Sequence, residues 1–270
     1  VHLDNADLYN ATLTGVQSGA ITGTIKFLPA DWRLTTNGYL IGPSANLTNA
    51  DLSNADLNNL DLSNATLTGV RSGGITGVPY ALPTNWQLTN GYLIGPGADL
   101  TGATLSSANL TNAYLTNANL ANANLVGADL TDARLVGVQS GGITGIPHAL
   151  PTAGPYGNAQ WQLIDGYLIG PGADLTGAIL TDSDLSNTDL VGANLTNALL
   201  AGVHLANAEL YNASLTGADL TGANLTNADF TNANLTEATL FYATGAAKYN
   251  SATILPAGFN PVMAGWTEVS

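Results

Sequence analysis

The chain has 270 residues, of which 9% are charged, and its 19 acidic against 5 basic side chains give a net charge of −14. The absence of cysteine excludes disulfides, thiolate metal sites and cysteine nucleophiles. The scarcity of Lys and Arg argues against direct binding to nucleic acid or anionic membranes. No apolar run approaches the roughly 20 residues of a membrane span. A soluble protein is therefore predicted, with the cytoplasm, periplasm and lumen open as compartments.

A period of five residues begins at the first residues and recurs along the chain. Leu occupies every fifth position over Leu3–Leu13, Leu47–Leu67 and Leu100–Leu135, and Leu or Phe does so over Leu175–Leu240. Ala usually stands two positions before this residue, Asp or Asn one before, and Thr or Ser followed by Asn or Gly after it. A period of five fits neither a helix nor a strand. Ala and Leu can both be buried only if the chain turns a corner once per unit, so that four units close a coil of twenty residues.

These tandem A(D/N)LxX units resemble the pentapeptide-repeat family, and the Asn-rich style with GYLIGP segments resembles its cyanobacterial subset. The resemblance implies an all-β, right-handed quadrilateral β-helix. Low-complexity disorder is rejected, because the Leu positions are too regular and the chain is too apolar. The units add up to about 11–12 coils spaced like neighbouring strands, and the β-helix domain is predicted over residues 1–245.

Three variant segments keep the period of five but have different residue types at the inward positions. They are LTGVQSGAITG from Leu13, LTGVRSGGITG from Leu67 and LVGVQSGGITG from Leu135. In these segments Ser and Gly stand where Leu is expected, and Val and Ile stand where Ala is expected. The Ser positions are Ser18, Ser72 and Ser140. Since the large and small residues exchange places, core volume is roughly kept, and the segments are predicted to be faces of the coil.

An irregular insert follows each variant segment, near residues 28–46, 82–99 and 150–174. Pro and Gly punctuate these inserts, which predicts bulges or projecting loops. Their Trp and Tyr side chains either pack over the widened coils, which is the favoured interpretation, or form binding hot spots. Tyr156 and Trp161 of the longest insert are the candidates for an interaction surface. The intervals from Leu47 to Leu100 and on to Leu175 predict one extra coil in the last interval and otherwise the same phase.

Residues twenty apart should lie one above another, which predicts a column of carboxylates at Asp189, Glu209 and Asp229. Like charges at strand spacing disfavour joint ionisation. The column is therefore a candidate for a weak Ca²⁺ site or an acidic recognition surface; the alternative is coincidental alignment on a solvated face.

The same arithmetic places Asp184 beneath His204, Asp51 beneath Arg71, and Tyr114 beneath Arg134, as structural cross-strand pairs. His204 has no nucleophile within reach in its own column, so catalysis at the Asp184–His204 pair is rejected. No catalytic, cofactor-binding or metal-binding residue is predicted, and the protein is not expected to be an enzyme.

Residues 246–270 leave the repeat and are predicted to form a C-terminal cap that also offers a homodimer contact. The leading functional hypothesis is a non-enzymatic scaffold with an unknown protein partner. The family resemblance implies an alternative, because some members imitate DNA and bind type II topoisomerases such as gyrase. A sugar-binding or cation-binding surface is the third hypothesis.

Overall fold

The computed structural model describes residues 1–152 and 160–270. Its backbone forms parallel bridges at every fifth residue, usually with the residue twenty positions later, as at Asp51–Arg71 and Asp56–Thr76. One ladder of bridges runs without a break from Asp51 to Ile254. The chain is therefore a β-helix solenoid, as the period of five predicted.

Each residue of the five-residue unit has a role in one β-turn of the backbone. In the unit from Asp51 to Ala55, the N–H of Ala55 donates to the C=O of Leu52 at 3.0 Å, closing a β-turn. The third residue of that turn, Asn54, has a φ of 60°, and positive φ at this position favours Asn or Gly. The Oδ1 of Asp51 accepts the N–H of Ser53 at 3.0 Å, which is an Asx turn. The Leu and Ala side chains are buried in the core.

The three inserts form antiparallel β-hairpins in which β1 (Arg33–Leu34) pairs with β2 (Leu40–Ile41), β3 (Gln87–Thr89) with β4 (Tyr92–Ile94), and β5 (Gln162–Ile164) with β6 (Tyr167–Ile169). The second hairpin turns through Asn90 and Gly91, whose φ angles of 50° and 76° are both positive. Two consecutive positive φ angles define the type I′ turn that suits a two-residue hairpin loop.

The hairpins lie within the stack of coils. The N–H of Ile75 in the second variant segment donates to the C=O of Gly91 at the hairpin tip, at 3.0 Å. Equivalent bonds join Ile21 to Gly38 and Ile143 to Gly166, both at 3.1 Å. Each hairpin tip therefore rests on the variant segment that precedes it.

The serines of the variant segments seat the hairpins. The Oγ of Ser72 accepts the N–H of Leu93 at 2.9 Å, and Leu93 is fully buried. Ser18 and Ser140 bind the equivalent Leu40 and Leu168 in the same way, at 2.8 and 3.0 Å. The small Ser thus leaves room for a hairpin Leu and satisfies its backbone donor.

The predicted common phase holds for the second and third inserts and is wrong for the first. The bridge across the first insert joins Gln17 to Asn46, in a ladder that continues to Thr66. The bridges across the second and third inserts, Arg71–Asp99 and Gln139–Asp174, belong to the neighbouring ladder that also contains Asp51. These two bridges span 28 and 35 residues, because the hairpins absorb different numbers of residues. Chain separation therefore does not report phase across an insert.

The C-terminal tail packs over the end of the core. Strand β7 (Lys248–Tyr249) pairs in parallel with β8 (Thr267–Glu268). The Trp266 ring stacks on Phe230 with centroids 5.3 Å apart and meets the edge of Phe259 at 5.0 Å. Only 7% of Trp266 is exposed. In the described ranges, no helix is long and apolar enough to cross a bilayer.

Candidate functional site

The structure brings Asp189, Glu209 and Asp229 together as consecutive rungs of one ladder, which we call the acidic column. Lys248 forms the next bridge after Asp229, a neighbour that the repeat arithmetic missed because this step is nineteen residues long. Neighbouring strands are about 4.8 Å apart. Three carboxylates therefore follow one another along the ladder, with an amine at the end nearest the tail.

The members of the acidic column differ in their freedom. The Oδ1 of Asp189 accepts the N–H of Val191 at 3.1 Å, and the Oδ1 of Asp229 accepts that of Thr231 at 2.9 Å. Both aspartates are half-buried, whereas Glu209 is exposed. Glu209 makes no side-chain hydrogen bond within residues 1–152 and 160–270, so its carboxylate is the member of the column that is free to meet a partner.

A shallow depression of about 590 Å³ lies beside the acidic column. Glu209, Asp229 and Lys248 line one part of it, and Tyr211 contributes a ring that is 41% exposed. Asn207 and Asn227 also line it and belong to an amide ladder in which Asn207 donates to Asn187 and Asn227 donates to Asn207, each at 3.2 Å. The depression therefore combines carboxylates, amides and one aromatic ring, groups that suit a cationic or polar protein surface.

The acidic column is not a cation cage. In the part of the chain that the structure describes, no three His, Asp or Glu side chains converge to hold a metal ion. Calcium needs six to eight oxygen ligands around one point, whereas these carboxylates are spread along a ladder. The Ca²⁺ hypothesis therefore has no support from the geometry.

Several other aspartates are held in the turns of the backbone. The pKa values of Asp51, Asp129 and Asp184 lie below the usual range, first because a Ser or Thr hydroxyl two residues later donates to each carboxylate and then because the N–H of that residue does. At Asp99, partial burial raises the pKa, but hydrogen bonds from Thr101 and Arg71 outweigh it and the pKa is lowered. These carboxylates are part of the fold.

Two predicted pairs differ in outcome. Tyr114 and Arg134 form a bridge, and the guanidinium carbon lies 4.5 Å from the Tyr ring centroid. Arg71 forms a bridge with Asp51, as predicted, but its guanidinium turns to the other side and binds Asp99, with Nη2 and Oδ2 3.1 Å apart. The repeat predicts which residues are neighbours on a ladder. It does not predict which of its two ladder neighbours a side chain binds.

Two described aromatic residues of the third insert, Trp161 and Tyr167, serve packing. Trp161 is only 6% exposed, and its ring covers Gly170 so closely that a Cβ there would collide with it. The Oη of Tyr167 accepts the N–H of Ile179 at 3.0 Å. Burial of this kind removes Trp161 from the accessible surface. The other candidate of that insert, Tyr156, lies outside the described residues.

The pentapeptide-repeat family model matches this chain in eight copies, over residues 44–71, 97–137, 171–207 and 188–227. A pentapeptide repeat protein of Nostoc PCC 7120, alr5209, is 33% identical to the chain, with 36% of this chain and 84% of alr5209 covered and a TM-score of 0.27. The chain belongs to the pentapeptide-repeat family. Its membership rests on the repeat matches and this sequence identity.

HetL, a pentapeptide repeat protein involved in heterocyst differentiation regulation in Nostoc sp. strain PCC 7120, is 28% identical over 79% of this chain and 90% of HetL, with a TM-score of 0.29. QnrB1, a plasmid-mediated fluoroquinolone resistance protein, is 18% identical over 77% of this chain and 84% of its own, with a TM-score of 0.24. No curated protein matches the chain. The predicted cyanobacterial style of the pentapeptide repeat is confirmed by the Nostoc relatives.

Proposed function

We propose that this pentapeptide-repeat protein is a non-enzymatic interaction scaffold that presents the acidic column and Tyr211 to a basic surface of a partner protein. In this proposal the coil is right-handed and quadrilateral, extends over residues 1–245, and is closed by a cap at 246–270. Four bridges per twenty residues support the quadrilateral section. The exposed Glu209 between two turn-bound aspartates is the observation that carries the functional proposal.

Charge distribution supports a basic partner. Residues 160–270 contain ten Asp and Glu side chains and a single Lys or Arg, Lys248. A surface of one sign raises the rate of encounter with the opposite sign and makes it sensitive to salt. Because Asp189 and Asp229 are held by turn hydrogen bonds, these two side chains lose little entropy when the column meets a partner.

Matched charge removals test the proposal. Asp229→Asn and Asp219→Asn each remove one carboxylate, and Asn keeps the Asx turn that each Asp makes with the Thr two residues on. Only Asp229 belongs to the acidic column. Quantitative affinity capture should show partners that are lost severalfold with Asp229→Asn, lost further when Glu209→Gln is added, and kept with Asp219→Asn. Equal capture by Asp229→Asn and Asp219→Asn would contradict the proposal.

The acid excess of residues 160–270 also favours a second candidate, an acidic DNA mimic that binds a type II topoisomerase. Such a protein is expected to be a dimer, and Phe241, Tyr242 and Met263 are exposed near the tail where two copies could meet. Light scattering after size-exclusion chromatography, followed by a gyrase supercoiling assay at two salt concentrations, distinguishes the candidates. A dimer with a salt-sensitive effect on gyrase supports mimicry; a monomer without effect leaves the scaffold proposal.

A further inference from the structure

The β3 edge of the second hairpin is unpaired. Leu93 of β4 sends its N–H away from β3 to the Oγ of Ser72, so Leu88, its partner in the register, points its own backbone groups to the opposite edge. Within the described ranges, neither the N–H nor the C=O of Leu88 has a hydrogen-bond partner. Exposed strand edges of this kind are templates for another strand.

A groove runs along this edge, with a volume of about 780 Å³. Residues 87–90 form one wall, and Ser107, Asn109, Thr111 and Asn112 of the next coil form the other. The ladder explains the gap: Ala81 pairs with Asp61 and Asn109 pairs with Asp129, but in the described structure no bridge joins Ala81 to Asn109. The hairpin occupies the space between these two rungs without completing the pairing.

The first hairpin shows how the equivalent groove is filled. Arg33 occupies the position of Gln87, since each pairs with the Ile of its hairpin. The Arg33 guanidinium donates to the C=O of Asp56 at 3.1 Å and to the C=O of Asn58 at 2.6 Å, and it forms an ion pair with the Asp56 Oδ2 at 3.0 Å. The place of Asp56 is taken in the second groove by Asn109. The groove that remains there measures only about 260 Å³.

Gln87 cannot do the same at the second hairpin. Its Nε2 reaches the C=O of Asn109 only at 3.5 Å and is also 3.2 Å from the Oγ1 of Thr89. The C=O of Thr111, which corresponds to that of Asn58, accepts no hydrogen bond within the described residues. One wall of the second groove thus has an open acceptor at the C=O of Thr111 and a weakly bound one at the C=O of Asn109, and the other wall has the open N–H and C=O of Leu88.

We propose that the β3 groove binds an extended, arginine-containing segment of a partner protein by strand addition. The segment pairs with the N–H and C=O of Leu88, and its guanidinium takes the place that Arg33 takes at the first hairpin, donating to Asn109 and Thr111. Asp129 and Asp132 lie one rung beyond the groove wall, within the range over which charges act at physiological salt. The inference adds a second surface and a partner class to the proposed interaction role, on which it rests.

The test uses the blocked peptide acetyl-Val-Thr-Arg-Thr-Val-amide as the probe. Amide exchange of Leu88, followed by NMR, is expected to slow about tenfold or more at saturating probe, because its N–H becomes hydrogen-bonded. A probe N-methylated within the strand and one with Gln for Arg are the controls and should bind at least about tenfold more weakly. Unchanged exchange at Leu88, or equal binding of the N-methylated probe, would overturn strand addition.

Two protein variants complete the test. Gln87→Arg supplies in cis the side chain that fills the first groove and is expected to abolish probe binding while the hairpin stays folded. Leu88→Pro removes the N–H that the probe would pair with, at a position where an edge strand tolerates Pro. This variant should also lose probe binding. Asp229→Asn should bind the probe normally. If Gln87→Arg binds the probe as well as the unaltered protein does, the proposal of strand addition at the β3 groove is overturned. The scaffold proposal is tested separately, by the affinity capture with variants of the acidic column.

Discussion

The regular run from Leu175 to Leu240 and the hairpin-bearing coils before it have the same backbone ladder but use their core positions differently. In the run, Leu or, at Phe230, Phe fills every fifth position, and neighbouring coils match rung for rung. In the hairpin-bearing coils, a small Ser stands at that position and a Leu from the hairpin fills the space beside it, as Leu93 does at Ser72. The run therefore presents continuous columns such as the acidic column, whereas the hairpins interrupt columns and expose strand edges. One repeat thus supplies two kinds of surface.

Exchanging the inward residues of the two regions should give the largest effects. Leu205→Ser in the run leaves a cavity and should lower the free energy of unfolding by about 4 kcal/mol. Ser72→Leu restores the residue that the repeat usually has at this position, yet it should lower the free energy of unfolding by about 3 kcal/mol. The new Leu overpacks a site that Leu93 already fills, and it removes the hydroxyl that accepts the N–H of Leu93. Urea unfolding of both variants measures these changes. A stabilised Ser72→Leu protein would show that the hairpin does not occupy this core position.

Crowding between Trp86 and Gly95 should give a smaller effect. A Cβ at Gly95 would collide with the Trp86 ring, so Gly95→Ala should lower the free energy of unfolding by about 2 kcal/mol. In a Trp86→Ala background the same substitution should cost little. Thermal unfolding of the double-mutant cycle checks this coupling; additive effects would mean that the Trp ring does not cover the glycine.

A turn residue in the run offers a gain. Glu237 has a φ of 59° at the turn position that Asn or Gly usually holds. Since left-handed backbone is costly for most side chains, Glu237→Gly should raise the free energy of unfolding by about 1 kcal/mol. Asn212→Gly, at a φ of 58°, is the matched control and should change it much less. Chemical denaturation of both variants measures these changes in the free energy of unfolding. Equal changes would show that the left-handed backbone at Glu237 is not strained.

Acid should loosen the two regions unequally. Asp51, Asp99 and Asp129 precede the run and, like Asp184 near its start, have lowered pKa values, whereas Asn194, Asn224 and Asn234 hold the equivalent place in much of the run. A carboxylate with a lowered folded-state pKa stabilises the fold above the unfolded pKa of about 4, and this contribution is lost as the pH falls through the folded value. Hydrogen exchange at pH 3 should increase first in the coils around Asp51, Asp99, Asp129 and Asp184, and later in the part of the run where Asn holds this place. Uniform exchange along the solenoid would contradict this prediction.

The period of five predicts the β-helix and its vertical neighbours, because a fixed coil length turns sequence separation into position. The acidic column and the Tyr114–Arg134 contact follow from that arithmetic. The hairpins could have been found from the Asn-Gly pair between Thr89 and Tyr92, a recognised hairpin signal. The phase of the hairpins does not follow from the total chain separation between them, because each hairpin absorbs its own number of residues. The choice of Asp99 over Asp51 by Arg71 depends on side-chain geometry that the repeat does not encode.

The coil continues in register through the hairpins, and each hairpin is seated on a serine that replaces a core Leu. Amide hydrogen exchange at Leu40, Leu93 and Leu168 tests this arrangement most directly, because these N–H groups donate to Ser18, Ser72 and Ser140. Exchange as slow as that of the bridge amides in the regular run is predicted, with loss of protection at Leu93 in Ser72→Ala. Fast exchange at all three amides, beside a protected run, would show that the inserts project as loops and would contradict the account.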